Sequence, residues 1–356
     1  MPVTGVVSMA SKRSIVEMLA RTIEFSSTFS KHLEWLGRKR LLKQDALLLG
    51  PPPSQFSRLL AMEFARRNRL EVEVVSLTPD TTEADLKTRR DLVNQSVVFS
   101  DQGPVRAALQ GKLLILDGLE KCERNVLPTL NNLLENREMN LDDGRLIISH
   151  DRFMHLAKSS SSDTIKRSGL VPTHPNFFVV ALAAPTPPYL GRQMDPPLRS
   201  RFQVRRIDFP TPSELIDAGV DSAIVQIAGA INSACEANPS MFPRLPDMNV
   251  FHIAKAKQKF PETSLRSLFT RSYPWMSDEL NFAHRKTLLR IIPATDMTDK
   301  TNYESSALKS KLYLSKARQK LARNLVQDYQ LNRDMLICGA PGVGKSRKFS
   351  LNDCMK

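Results

Sequence analysis

Cysteine is scarce and scattered: four residues, Cys122, Cys235, Cys338 and Cys354, in 356. None stands at the spacing of a disulfide framework or a paired metal ligand, so they read as free thiols in a reducing compartment. The six histidines are as dispersed. His150 and His155 lie near each other but lack an acidic or cysteine partner at ligand spacing, which argues against a zinc centre. No apolar run approaches the ~20 residues that span a bilayer. The longest, Phe177 to Ala184, has the length of a strand. Acids are in the minority, 37 against 51 basic residues, and the net charge is +14. That balance suits phosphate-rich ligands, an acidic partner or nucleic acid. The basic residues are spread along the chain, without a zinc-finger, helix-turn-helix or RNA-binding signature, so nucleic-acid binding is not expected. Near the N-terminus, Lys12, Arg13 and Arg21 stand with serines but also with Glu17 and Glu24, and a transit peptide is usually poor in acids.

What the chain does contain is a short apolar run ending in one acid. Leu113, Leu114, Ile115 and Leu116 lead into Asp117. Such a run reads as a fully buried parallel strand. Ligands in open α/β sheets bind at the carboxyl ends of such strands, and a carboxylate there can hold Mg²⁺ beside a phosphate. The same residues also fit a strand that ends in an acid at its turn. After Asp117 come Gly118, Leu119 and Glu120. In hydrolysing nucleotide machines the residue after the magnesium acid is usually the acid that polarises water, and here it is Gly118. Glu120 either reaches the site from the next turn or is an N-terminal helix charge; the second reading is favoured.

Taken in order, residues 1–43 read as an N-terminal helical segment, with a periodic stretch from Ser14 to Leu42. Asp45-Ala-Leu-Leu-Leu-Gly50 is a buried strand, followed by Pro51-Pro52-Pro53 and a helix from Ser57 to Arg67. Strand, turn and helix are the context of a phosphate-binding loop. Set on G-x-x-x-x-G-K-[ST], Gly50 and Ser57 hold the outer positions, whereas Gln55 replaces the second glycine and Phe56 the lysine. The prolines remove N–H donors, and the lost lysine removes a charge-assisted contact. Arg58 stands close enough to compensate in part. A plain strand–helix corner that binds nothing fits the same residues.

Glu71 to Ser76 reads as a second strand, Thr81 to Leu86 as a helix start, and Val97 to Ser100 as a short strand or hairpin arm. Glu123 to Arg137 is expected to be one amphipathic helix, and Glu138 to Ile148 a hairpin turning at Asp-Gly. Asn176 to Ala184 and Arg205 to Pro210 complete the strands. The α/β core is thus expected over 44–210, a helical domain over 211–295, and a linker with the opening of a second module over 296–356. That opening repeats the first one. Asp334-Met-Leu-Ile-Cys-Gly339 has the acid-to-glycine spacing of Asp45 to Gly50, and Gly339-Ala-Pro-Gly-Val-Gly-Lys-Ser346 is a complete motif. Only ten residues follow Ser346, so the second module is expected to be truncated, with any remainder in a longer product.

These stretches resemble the AAA+ ATPases of the dynein-related (MoxR and midasin-like) branch. LLLGPPP, DTTEADLKTRRDL, the run from Val105 to Arg145 and DPPLRSRFQVR carry the resemblance. It implies an α/β P-loop NTPase fold: a three-layer αβα core with a parallel sheet and a small helical lid domain. It implies ATP and Mg²⁺ as cofactors. Asp117 is then the magnesium acid, with Ser57 and Ser346 as metal ligands. Gly50, Ser57, Arg266 (as sensor two), Gly339, Gly342, Gly344, Lys345 and Ser346 are the nucleotide-binding residues. Arg201, with Arg199 as second candidate, resembles the arginine finger, and Asp117, Glu120, Arg201 and Arg199 form the catalytic set. For Arg201 the competing reading is a salt-bridged helix end. The hairpin at Asp143-Gly144 looks like the helix-2 insert. The implied function is an ATP-binding module of a mechanochemical ATPase, in a ring or tandem array and acting on a protein substrate. The alternative is a degenerate nucleotide-binding or scaffold module without turnover. Family members are mitochondrial, so a matrix location is implied, with the cytoplasm as alternative. Departures are Gln55, Phe56, Gly118 and the apolar Ala184 where a polar sensor-one residue is expected.

Overall fold

The computed structural model describes residues 27–52, 55–159, 167–187, 189, 191–208, 210–237, 245–272, 290–292, 316–331 and 333. They fall into two compact units, one over Ser26–Pro210 and one holding the described residues from Thr211 onward. The expected second opening, Asp334 to Ser346, lies outside the described residues, as does the start of the Ser14–Leu42 helix.

The first unit begins with α1 (Ser27–Leu41), β1 (Ala46–Leu49), α2 (Gln55–Arg67) and β2 (Val72–Ser76). Then come α3 (Glu83–Leu86), the hairpin β3 (Thr88–Val93) and β4 (Ser96–Asp101), α4 (Gly103–Gln110) and β5 (Leu113–Asp117). A 3₁₀ turn at Leu127–Leu130 leads into α5 (Asn131–Glu135), β6 (Met139–Asn140), β7 (Leu146–Ile148), α6 (His150–Ser159) and β8 (Leu170–Pro172). β9 (Phe178–Ala183), α7 (Pro196–Ser200) and β10 (Gln203–Arg206) close the unit.

Five strands form one parallel sheet in the order β10-β1-β9-β5-β2. Every residue of β5 and β9 is buried, which accounts for their unbroken apolar runs. One sheet face presents Leu47, Leu114, Leu116, Val179, Ala181 and Ala183 to a core shared with Val105 of α4 and with Leu127, Leu130, Leu133 and Leu134. On the other face Phe178 meets Phe64 of α2, ring centroids 6.1 Å apart. Helical segments thus cover both faces, and the unit is an α/β sandwich of three layers.

At the amino end of β1, Asp45 is 3% exposed. Arg137 grips it with two hydrogen bonds of 2.6 and 2.9 Å, and the Val179 N–H donates a third at 3.0 Å. Arg137 in turn lies over the Phe177 ring at 5.1 Å. Burial pushes the Asp45 carboxyl up, against the pull of Arg137 and the Val179 N–H. The acid that opens the strand is therefore a clamp between β1, β9 and the segment after α5.

Three segments differ from the sequence expectation. The last strand runs Gln203–Arg206 and not Arg205 to Pro210. Glu123 to Arg137 is not one helix: a loop precedes the 3₁₀ turn, whose Pro128 lacks the N–H that α-helical pairing needs. The Asp143-Gly144 hairpin is present, with Met139 opposite Ile147 and Gly144 at φ +88°. However, the hairpin that interrupts a helix between β2 and β5 is β3–β4, flanked by α3 and α4.

The second unit is helical throughout its described residues: α8 (Pro212–Asp217), α9 (Ser222–Ala237), α10 (Asp247–Lys259), α11 (Leu265–Ser272) and α12 (Lys316–Gln330). Thr211 caps α8 by accepting from the Glu214 N–H, while the Glu214 carboxylate accepts from the Thr211 N–H. Ile224, Ile231, Phe251 and Phe269 are fully buried.

Candidate functional site

The carboxyl ends of β1, β9 and β5 converge. Gly50 N–H donates to the Ala183 carbonyl at 3.0 Å, and Gly118 N–H donates to the Leu182 carbonyl at 3.0 Å. The turn after β1 and the acid at the end of β5 are thus separated only by β9, about 10 Å across two strand spacings. This is the crevice where open parallel sheets bind ligands.

Gly50 and Ser57 close the turn together. Ser57 is 3% exposed, and a Cβ built on Gly50 would come 2.5 Å from its Oγ, so a side chain at position 50 would displace the Ser57 hydroxyl. Phe56, at the expected lysine position, packs edge-on against Phe29 of α1, with centroids 5.1 Å apart at 83°. Two residues on, about 200° around the helix, Arg58 points the other way. Its guanidinium ion-pairs with the Asp117 carboxylate. Asp117 is 6% exposed and Arg58 47%. A buried carboxylate needs such a partner, since an unpaired charge costs several kcal/mol, at least ~3, in a low-dielectric setting.

Gly118 stands at φ +92°, in the left-handed region, and a Cβ there would meet the Leu77 carbonyl oxygen at 3.2 Å. The backbone at the expected water-polarising position therefore disfavours any side chain. Glu120 is 7% exposed and does not open a helix. Its Oε2 accepts from the Ala184 N–H at 3.2 Å, and Gly191 packs so closely that an added Cβ would lie 2.9 Å from Glu120 Cγ. This corrects the reading of Glu120 as an N-terminal helix charge. Ala184 lacks a polar side chain, yet its backbone N–H holds the Glu120 carboxylate at the end of β9.

Arg201 caps the end of α7 and pairs with Glu135 at 2.5 Å. Its neighbour Arg199 is exposed. Arg266 lies on α11 in the second unit, half-buried. Gly339, Gly342, Gly344, Lys345 and Ser346 lie outside the described residues. The structure thus brings together Gly50, Ser57, Asp117 and Glu120. It adds Arg58, whose sequence signal was only a basic residue just past the motif serine.

The donor set fits phosphate better than it fits Mg²⁺. The first turn of α2 offers backbone N–H groups and the positive end of its dipole, and Arg58 adds a permanent charge. Mg²⁺ demands oxygen ligands in near-octahedral array. Here the Asp117 carboxylate is engaged by a guanidinium and the Ser57 hydroxyl is packed against Gly50. No group of three or more His, Cys, Asp or Glu residues able to hold a metal occurs among the described residues.

The fold is that of an α/β P-loop NTPase domain. Residues 45–202 match the family model of the AAA domain, dynein-related subfamily, and the chain carries a domain of that family. It is similar to von Willebrand factor A domain-containing protein 8 of Mus musculus, 41% identical over 255 residues. That match takes in 69% of this chain and 13% of the mouse protein, so the chain spans about an eighth of that relative's length. Among solved structures, a proposed ATPase from Cytophaga hutchinsonii aligns over 92% of this chain and 96% of its own, at 11% identity and a TM-score of 0.39. A likeness that distant says nothing about the chemistry of the site. No helix of the described residues is long and apolar enough to cross a membrane.

Proposed function

We propose that the first unit is an AAA module that binds a nucleoside triphosphate without turning it over, serving as a structural or regulatory member of a longer tandem array. The observation that carries this reading is the Arg58–Asp117 ion pair at the end of β5. It engages the carboxylate that the family resemblance makes a metal ligand. Gly118 supplies no base, and the buried Glu120 accepts from the Ala184 N–H through one of its oxygens. The Gly50 turn and the first N–H groups of α2 would hold phosphate oxygens. When bound, Mg²⁺ supplies charge neutralisation to the phosphates in this family, and Asp117 with Ser57 would be its ligands once Arg58 withdrew.

The complete motif at 339–346 favours a second nucleotide site on the same polypeptide, with Lys345 and Ser346 as its phosphate and metal residues. Of the two arginines on and after α7, Arg201 is held by Glu135, so a contribution to a neighbouring module falls to the exposed Arg199. A protein substrate and a mitochondrial location belong to the same proposal; organelle fractionation reads the latter.

The test is equilibrium binding of ATP to the whole chain carrying Lys345→Ala, which silences the second motif. Binding is expected to persist there and to weaken at least tenfold when Gly50→Ala is added, because its Cβ displaces the Ser57 hydroxyl and narrows the turn. An absence of binding, or binding indifferent to Gly50→Ala in a folded chain, contradicts the proposal.

A further inference from the structure

We propose that Arg58 is the built-in counter-ion of this site, standing on Asp117 in place of a divalent metal, so that the module takes up nucleotide phosphates without Mg²⁺. This rests on the nucleotide-binding reading above. Arg58 and Asp117 are 59 residues apart in sequence and meet across the crevice, from the start of α2 to the end of β5.

Three features argue for substitution over an incidental surface pair. The first is asymmetry: the carboxylate is 6% exposed and the guanidinium 47% exposed. One terminal nitrogen of the guanidinium meets the buried acid, and about half of the arginine side chain stays exposed. Arginine carries five N–H donors in a rigid fork and loses its charge at no physiological pH. It can therefore hold a carboxylate and still offer donors to a phosphate.

The second is the displacement of charge along the loop. The expected lysine position is Phe56, anchored on Phe29. The positive charge stands two residues on, on the other side of the helix, where β5 ends. The loop thus lacks a cation at the lysine position but holds a permanent one against Asp117.

The third is competition. A divalent ion at Asp117 would compete with the guanidinium for Oδ2 and would sit beside a fixed positive charge. Among the described residues no group of three or more His, Cys, Asp or Glu offers it another place. Guanidinium and metal therefore compete for this carboxylate.

The experiment uses the whole chain with Lys345→Ala and reads ATP affinity in Mg²⁺ and in EDTA. The two affinities are expected to agree within about twofold. Arg58→Ala is expected to weaken binding in EDTA at least tenfold, with recovery on adding Mg²⁺, and Asp117→Asn in that background to abolish the recovery. Arg58→Lys, which keeps the charge, is expected to keep metal independence. In parallel, Mn²⁺ titration followed by electron paramagnetic resonance, without nucleotide, is expected to show affinity gained in Arg58→Ala and absent when Asp117→Asn is added. Mg²⁺-dependent ATP binding by the chain with Arg58 intact overturns the proposal, as does an Asp117-dependent Mn²⁺ site in that chain. Failure to bind ATP with or without Mg²⁺ overturns the nucleotide reading and the phosphate half of this proposal with it. The Mn²⁺ titration decides the metal half by itself.

Discussion

At the scale of single residues, Gly118 decides more than its size suggests. Its φ of +92° lets β5 end and the chain turn under Leu77, and a side chain there is strained. Gly118→Ala is expected to lower unfolding free energy by about 1–2 kcal/mol, read in urea, from left-handed strain plus the contact with the Leu77 carbonyl. A Gly118→Glu change carries the same strain, so replacing the missing acid is not expected to create an ATPase. His252 on α10 is a second informative residue. Burial first, then Arg333 and Lys255, lower its pKa from 6.5 to about 4, and its Nδ1 has no hydrogen-bond partner. Above pH 6.5 the imidazole is neutral in both states. Between 6.5 and 4 the unfolded chain takes up a proton that the folded chain refuses. Stability of the second unit is therefore full above about pH 6.5 and lost as pH falls toward 4, by up to about 3 kcal/mol. His252→Gln is expected to flatten that slope in thermal unfolding followed across pH; an unchanged slope would show that other groups set it. Neither the burial of His252 nor that of Glu120 was legible in the sequence, because each follows from contacts far along the chain, such as Gly191 on Glu120.

Strands were the most legible elements. The apolar runs at 45–50, 113–117 and 176–184 fall on β1, β5 and β9 to within a residue or two. Burial on both faces leaves no polar alternation to misread. The role of Asp45 was less legible. As a repeated acid before a strand it looked like part of a nucleotide signature, yet it is gripped by Arg137 at the end of the sheet opposite the crevice. Removing one member of such a buried pair leaves an uncompensated charge. Arg137→Leu is thus expected to cost about 3–5 kcal/mol by urea unfolding, with partial recovery in Arg137→Leu combined with Asp45→Asn. A cost below about 1 kcal/mol would mean the pair is structurally idle. The helix expected over Glu123 to Arg137 failed for a local reason: apolar spacing survived while Pro128 broke the hydrogen-bond ladder.

At the scale of the molecule, the sheet order β10-β1-β9-β5-β2 makes the site. It brings a loop at residue 50 and an acid at 117 to either side of one strand end, and periodicity alone does not encode that adjacency. The departure of the loop from the phosphate-binding pattern was readable from Gln55 and Phe56. What the fold adds is the ion pair of Arg58 with Asp117, on which the proposed function rests. The first unit is proposed to be an AAA module that keeps its nucleotide whole. The direct measurement is phosphate release from ATP and Mg²⁺ by the whole chain with Lys345→Ala, set against the same chain with Asp117→Asn. Equal release from both, at the level of the buffer, is expected. Release that Asp117→Asn abolishes would contradict it.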